Sequence, residues 1–307
     1  MSTSMAQTLW LDLAGAEVRY YDVGGIRTRA IEAGSGPALL MMHGSSGHAE
    51  AFARNVVPLS EHFHVIAPDY LGSGMTDYPT TTPTMRDRVD HMIGILDAAG
   101  VDKACVLGES FGASHALSGA LWHPDRVSSV IAVVGGGPFM VDTSEADDER
   151  LAQGMKRLLE GNARIVEEGP TMEGVRDRLA WLFHEPEKSL TDELAALRYY
   201  YYQRDNIRRA NADIVAALRR GDTVSVPMTP ESLSQIKQPT LFIWTDHNPT
   251  IPTAQALKAS EYIPDVQFVE MANCGHWPQW EDAPTFNKIV TDFLLGVEAR
   301  HKDEAAV

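Results

Sequence analysis

Five consecutive residues, Gly108-Glu109-Ser110-Phe111-Gly112, carry the first sign of chemistry in this chain. They form a G-x-S-x-G between the apolar run "KACVLGES" and the helix-like "GASHALSGALWHP". In a strand–turn–helix frame this spacing sets a serine on a sharp, strained turn, and the small flanking residues let neighbouring backbone pass close. The hydroxyl then projects over the end of a sheet, and the helix N-terminus behind it favours negative charge. An ordinary glycine-rich turn is the plain alternative, and the frame on both sides argues against it. A serine hydroxyl is a poor nucleophile alone. It needs a base for its proton and donors for the oxyanion it creates.

Donors come from "MMHGSSGH", where an apolar run ends at His43-Gly44 and a loop of small residues follows. The backbone N–H of Ser45 or Ser46, with that of Phe111, forms the natural oxyanion hole, and His43 reads as a loop-organising residue. Eleven histidines compete for the role of base. His62 and His64 lie on or beside a strand, His91, His115 and His123 in helices or at a helix end. His184 falls in a long helical stretch and His301 in the tail. His276, in "MANCGHWPQWED", follows the last strand on a loop that ends on the serine's side, where the order serine–acid–histidine puts a base. Cys274 beside it reads as packing. No histidine pair has metal-site spacing with a nearby carboxylate, so neither a metal nor another cofactor is expected. For the group that orients His276, "LFIWTDHNPTIP" offers a carboxylate, Asp246, and an amide, Asn248. Asp246 also has a plainer reading as a turn residue ahead of "HNP".

The elements that must position these groups alternate along the chain. "AEVRYYDVGG" and "IRTRAIEAG" read as strands meeting at a Gly-Gly turn, and the first 44 residues as strand throughout. "PALLMMHG", "FHVIAPDY", "KACVLGES" and "VSSVIAVVGGG" are buried strands, separated by helices such as "PTMRDRVDHMIGILDAAG". This βαβα alternation predicts a mostly parallel, eight-stranded α/β sheet flanked by helices. From 139 to 235 the composition turns to charge and helix formers, which predicts an inserted helical cap. Residues 1–138 and 236–307 then make the core, resuming with "TLFIWTD", a helix from Pro252 to about Glu261, "VQFVEMA" and "APTFNKIVTDFLLG". The tail after Gly296 is expected to fray.

A net charge of −16 argues against nucleic acid and anionic membrane as partners. Two cysteines, Cys105 and Cys274, fit a reducing compartment rather than a disulfide framework. The N-terminal "MSTSMAQTLWLDLAG" lacks a basic lead-in to its apolar run, and "VSSVIAVVGGGPFMV" is too short and glycine-rich to span a bilayer. A cytoplasmic protein acting on a small molecule is expected, with a homo-oligomer left open.

Together the elbow, the His-Gly loop, "HPDRVSSVIAV" and "GHWPQWEDAPTFNKIVTDFL" resemble the α/β-hydrolase fold along essentially the whole core. A narrower similarity is to the meta-cleavage product hydrolases, which break a C–C bond in vinylogous 1,5-diketones from aromatic ring cleavage. "GGGPFM", "CGHWPQWE" and "LTDELAALRYYYYQR" carry it. The resemblance implies that Arg198 binds a substrate carboxylate and that Trp277 lines the site. Without it, Arg198 reads as an ordinary ion-pair partner on an acidic helix. Of Tyr199 to Tyr202, a helical run, only one or two can face the pocket. The family's acid normally stands four residues before the proline opening the next helix, and counting back from Pro252 gives Asn248, slightly favoured on register. Asp246 could reach in if the loop bends differently, and both residues are expected to matter. The alternative position after the sixth strand holds Gly135, Gly136 and Gly137. Glu109 departs from the family's amide; it either discourages an anionic substrate or faces the interior of the elbow helix, and the second is expected.

The implied mechanism ketonises a dienol with help from His276. Ser110 or an activated water then attacks the ketone, and the C–C bond breaks to a dienolate and a carboxylic acid. A carboxylesterase or lactonase would use the same groups, except that Arg198 would not be needed. A slow-turnover ligand-sensing protein is the remote alternative.

Overall fold

The computed structural model describes residues 8–220 and 225–305. Its centre is one eight-stranded sheet in the order β1-β2-β4-β3-β5-β6-β7-β8. The strands are β1 (Glu17–Val23), β2 (Ile26–Ala33), β3 (Ala38–Met42), β4 (His64–Pro68), β5 (Ala104–Glu109), β6 (Val127–Val133), β7 (Thr240–Thr245) and β8 (Val266–Met271). The hairpin β1–β2 turns on Gly24 and Gly25, whose φ of 60° and 84° suit a two-residue turn that only glycine adopts easily. β2 pairs antiparallel with β4, and every later pairing is parallel.

The continuous apolar runs are explained by burial on both faces. Leu40 and Met42 of β3 point into one core with the helices Met85–Ala98, Phe111–Trp122 and Thr253–Ser260. Leu39 and Met41 point into the other, with Val56 and Leu59 of the helix Ala53–Leu59 and with Phe286 and Val290 of the final helix. That final helix runs Ala283–Ala305, so the tail continues as helix through Gly296 to the end of the described residues and does not fray there. The cause lies in its inner face, where Phe293, Leu294 and Val297 are buried on either side of that glycine. At the other end, the reading of strand from the start is corrected by a short helix, Leu9–Asp12, capped by Thr8. Residues 1–7, part of the stretch weighed as a leader, lie outside the described residues.

Between β6 and β7 the chain makes the helices Glu145–Glu168, Met172–Ala180, Pro186–Ser189, Asp192–Tyr202, Asp205–Arg219 and Pro230–Ser234. The outgoing and returning chains pair at the base of this segment, where Met140 N–H donates to Met228 O at 2.9 Å and Met228 N–H to Pro138 O at 2.8 Å. A third apolar cluster joins the inserted helices to the core: Leu179, Leu182, Phe183 and Leu194 pack with Trp277 and Trp280. A buried ionic knot does the same. Arg29 bridges Asp69 at 2.7 Å and Glu50 at 2.8 Å, and it donates to the Tyr201 hydroxyl at 2.8 Å. None of the helices among the described residues is long and apolar enough to cross a membrane.

The elbow depends on absent side chains. A Cβ at Gly112 would stand 2.0 Å from Met42 O, and one at Gly108 would stand 2.1 Å from Gly112 O. Both contacts are with backbone, which cannot swing aside. Gly112→Ala is therefore expected to lower unfolding free energy by about 2–3 kcal/mol, read from urea denaturation. A loss under about 0.5 kcal/mol would show that the elbow tolerates a methyl group.

Candidate active site

Ser110 sits between β5 and its helix at φ 53°, ψ −114°, a strained conformation held because the glycines on either side let the turn close. Its Oγ lies 2.9 Å from His276 Nε2. On the other edge of the ring, His276 Nδ1 lies 2.8 Å from Asn248 Oδ1. The amide's orientation is fixed by its other bonds: Asn248 Nδ2 donates to Ile251 O at 2.9 Å, and the Thr250 hydroxyl donates to Asn248 Oδ1 at 3.1 Å. Oδ1 therefore faces the ring as an acceptor. His276 carries its proton on Nδ1 and leaves Nε2 free to take the serine's proton.

Asp246, the other sequence candidate, is turned away. Its carboxylate accepts Asn273 N–H at 3.0 Å and Cys274 N–H at 3.3 Å, and so closes the exposed turn between the two loops. Two open backbone donors lie nearer to it than the ring does, and register puts Asn248 opposite His276.

The loop carrying His276 is tied to the inserted helices. His276 N–H donates to Leu182 O at 2.6 Å. Glu281 accepts Gly275 N–H at 2.9 Å and Trp277 N–H at 3.3 Å with one oxygen, and His184 N–H at 2.7 Å with the other. Burial pushes this carboxyl up to about 7. Sequence reasoning missed Glu281, Thr250 and Arg178. A signal for Glu281 was available in "HWPQWE", where one short helical turn, Pro278–Glu281, brings a carboxylate back to the loop it follows.

Ser45 borders both cavities that meet at Ser110, and Phe111 borders the larger. Ser46 borders neither cavity; its hydroxyl donates to Asn211 Oδ1 at 2.6 Å and its carbonyl accepts Arg198 Nη1 at 2.7 Å, bonds that do not involve its N–H. His43 is buried, 2.8 Å from Gly44 O and stacked on Tyr70, as a loop-organising residue should be.

Glu109 does not face the interior of the elbow helix. Its Oε2 accepts Gly44 N–H at 2.7 Å, and its Oε1 lies 3.5 Å from His276 Nε2. The bond to Gly44 N–H holds the carboxyl under the oxyanion loop, at the cleft beside Ser110. Burial raises Glu109 to about 8. Burial, with the Arg178 charge nearby, lowers His276 to about 3, so its ring is neutral at any working pH.

The larger cavity, about 270 Å³, is apolar and lined by Leu151, Met155, Leu158, Ile214, Leu218 and Ile251 among others. A second cleft, of about 20 Å³, shares Ser45, Ser110 and Leu158 with it and lies between Glu109, Arg178, Arg198, His276 and Trp277. The Arg198 guanidinium lies 5.4 Å from the Trp277 ring centre and is 3% exposed. Its Nη1 is used, whereas Nε and Nη2 have no hydrogen-bond partner among the described residues. None of the four tyrosines after Arg198 borders either cavity: Tyr202 packs on the guanidinium, Tyr201 donates to Glu50 at 2.9 Å, and Tyr200 is exposed. No group of three metal-ligating side chains is present among the described residues.

A strained serine on the elbow, a histidine after the last strand and an orienting group after β7, on a mostly parallel sheet, define a serine hydrolase of the α/β class. The chain belongs to the alpha/beta hydrolase fold family, whose model matches residues 37–283. It is 32% identical over 279 residues to a 2-hydroxymuconate semialdehyde hydrolase of Pseudomonas sp. (strain CF600), covering 90% of this chain and 93% of the relative. It is 30% identical over 278 residues to the 2-hydroxy-6-oxo-6-phenylhexa-2,4-dienoate hydrolase of Burkholderia cepacia, covering 89% and 92%. Among solved structures it resembles the meta-cleavage product hydrolase CumD of Pseudomonas fluorescens IP01. There the TM-score is 0.76 at 26% identity, over 91% of this chain and 97% of that one.

Asp246→Ala should keep kcat within about threefold while costing about 1 kcal/mol of stability from the two released N–H groups. Steady-state kinetics and thermal unfolding check this together. A fall of kcat by orders of magnitude would restore Asp246 as the orienting group.

Proposed function

We propose that this enzyme hydrolyses the C–C bond of a 2-hydroxy-6-oxo-dienoate of the meta-ring-fission type. The observation that carries the reading is the open edge of Arg198. Nε and Nη2 form one side of the guanidinium, and both are buried without a partner among the described residues, at a cost that a bidentate carboxylate would recover. Trp277 beside it offers a flat face to a conjugated chain. The apolar cavity that also meets Ser110 suits the alkyl or aryl group on the far side of the ketone. A substrate charged at one end and apolar at the other would span the nucleophile with the Arg198 cleft, now of about 20 Å³, widened around its charged end. The relatives named above, all hydrolases of such compounds, support the same substrate class.

In this reading His276 assists ketonisation of the dienol, and then takes the proton from Ser110 or from a water as either attacks the ketone. The N–H groups of Ser45 and Phe111 hold the oxyanion, and cleavage releases a dienolate and a carboxylic acid. The inserted helices 139–235 act as the cap that closes both cavities over the serine. The two free, buried cysteines suit a cytoplasmic setting.

One observation favours a second reading, hydrolysis of a neutral ester: Glu109 shares the Arg198 cleft, and an ionised carboxylate there would oppose an anionic substrate. Comparing 2-hydroxy-6-oxo-6-phenylhexa-2,4-dienoate with 4-nitrophenyl butyrate decides between them. A kcat/KM for the dienoate well above that for the ester is expected, and the reverse by orders of magnitude would establish an esterase. Arg198→Lys, which keeps the charge but loses the fork, should shift the preference toward the ester by about 30-fold, mainly through KM for the dienoate. An unchanged ratio would mean that the carboxylate binds elsewhere.

A further inference from the structure

An amide can orient a histidine but cannot neutralise it. Asn248 fixes the ring of His276 through a neutral oxygen at 2.8 Å, so the positive charge that appears when Ser110 gives up its proton has no counterion on the Nδ1 side. One carboxylate among the described residues lies within 4 Å of either ring nitrogen, and it is on the other side: Glu109 Oε1, 3.5 Å from Nε2. That oxygen is buried and without a hydrogen-bond partner, while its twin is occupied by Gly44 N–H. A carboxyl group is costly in such a place, and accepting Gly44 N–H would need only one neutral oxygen.

We propose that Glu109 is the charge partner of His276, supplying from the Nε2 side the negative charge that the triad position at Asn248 lacks. The inference rests on Ser110 and His276 being the catalytic pair. As Ser110 Oγ forms its bond to the carbonyl carbon, its proton passes to Nε2 and the carbonyl π pair moves to the oxygen. The imidazolium then donates Nδ1–H to Asn248 and holds Nε2–H beside Glu109 Oε1, so the new cation faces a carboxylate within one contact distance. The same carboxylate opposes the developing oxyanion. Two neighbouring cations, Arg178 and Arg198, border the cleft and offset that cost.

The reactive form has Glu109 ionised, because a protonated carboxyl offers no charge. A dienoate carboxylate in the same cleft shares Arg178 and Arg198 with it, so the pH limb is expected to stand higher with the dienoate than with the neutral ester. The groups facing Glu109 are His276, Arg178, Arg198, Tyr70 and Gly44 N–H. Burial outweighs the cations and holds the carboxyl up at about 8 in the free enzyme. Activity limited by this group should therefore rise as pH increases through about 8. His276 is held too low to supply that limb.

The test is a double-mutant cycle of Glu109→Gln and Asn248→Asp, assayed on 4-nitrophenyl butyrate, which does not ionise over the range, and on the dienoate. The Glu109→Gln change keeps the volume and the acceptor for Gly44 N–H but removes the charge. It is expected to lower kcat on the order of 100-fold with little change in KM, and to flatten the pH limb. Asn248→Asp should raise kcat at least about tenfold more in the Glu109→Gln background than in the wild type, because it supplies a missing charge only there. Near-wild-type kcat in Glu109→Gln, additive effects at the two positions, or a limb that persists without Glu109 would each overturn the proposal. Should Glu109→Gln fail to fold, the wild type and Asn248→Asp still decide. A limb near pH 8 that weakens in Asn248→Asp supports the proposal, and a wild-type kcat flat from pH 6 to 9 overturns it. A Ser110→Ala variant that stays active would overturn the serine-hydrolase reading itself, a result distinct from additivity in an enzyme that needs its serine.

Discussion

Everything chemical in this molecule depends on one hydrogen bond, from His276 Nδ1 to the amide oxygen of Asn248. It selects the tautomer, and the tautomer leaves Nε2 as the acceptor facing Ser110. The bond is itself over-determined. Ile251 and Thr250 pin the amide, while Leu182 and Glu281 pin the loop that carries the ring. A ring held this firmly loses little freedom in the reaction, which is how preorganisation lowers a barrier. Orientation and charge, usually combined in one carboxylate, are separate properties here, and an amide satisfies only the first.

The site joins two environments that a single pocket could not combine. Apolar residues of the inserted helices wall one cavity at Ser110, and buried guanidinium groups border the other. Ser110 lines both cavities, so its hydroxyl stands where the two environments meet. The boundary in turn is set by the elbow, whose glycines allow β3 and β5 to close beneath it.

Much of this was legible in the chain because it rests on short-range rules. Continuous apolar strands announced a doubly covered parallel sheet, and G-x-S-x-G in its strand–turn–helix frame announced the elbow. His276 followed from chain order. The helical insertion was visible as a change in composition. What could not be read depends on side-chain direction across long separations. Asp246 and Asn248 are two residues apart on one loop, and which of them faces the ring is decided by the backbone donors at Asn273 and Cys274. Glu109 pointed away from the reading given to it because Gly44, 65 residues earlier, offered an N–H. Gly296 suggested a stop, yet the helix runs on because its apolar stripe continues on both sides. Local propensity gave way to burial there.

The bond from His276 N–H to Leu182 O, with Glu281 spanning both loops, also determines how the site can breathe. The stretch around Leu182–His184 cannot lift away without pulling the imidazole out of line with the serine. Helices Glu145–Glu168 and Asp205–Arg219, which wall the apolar cavity, make no such bond to the catalytic loop among the described residues beyond Arg150 to Asn248 O at 2.9 Å. That single bond reaches the residue that orients the imidazole, so both flanks of the insertion are fastened to the catalytic pair, one through the His276 backbone and one through Asn248.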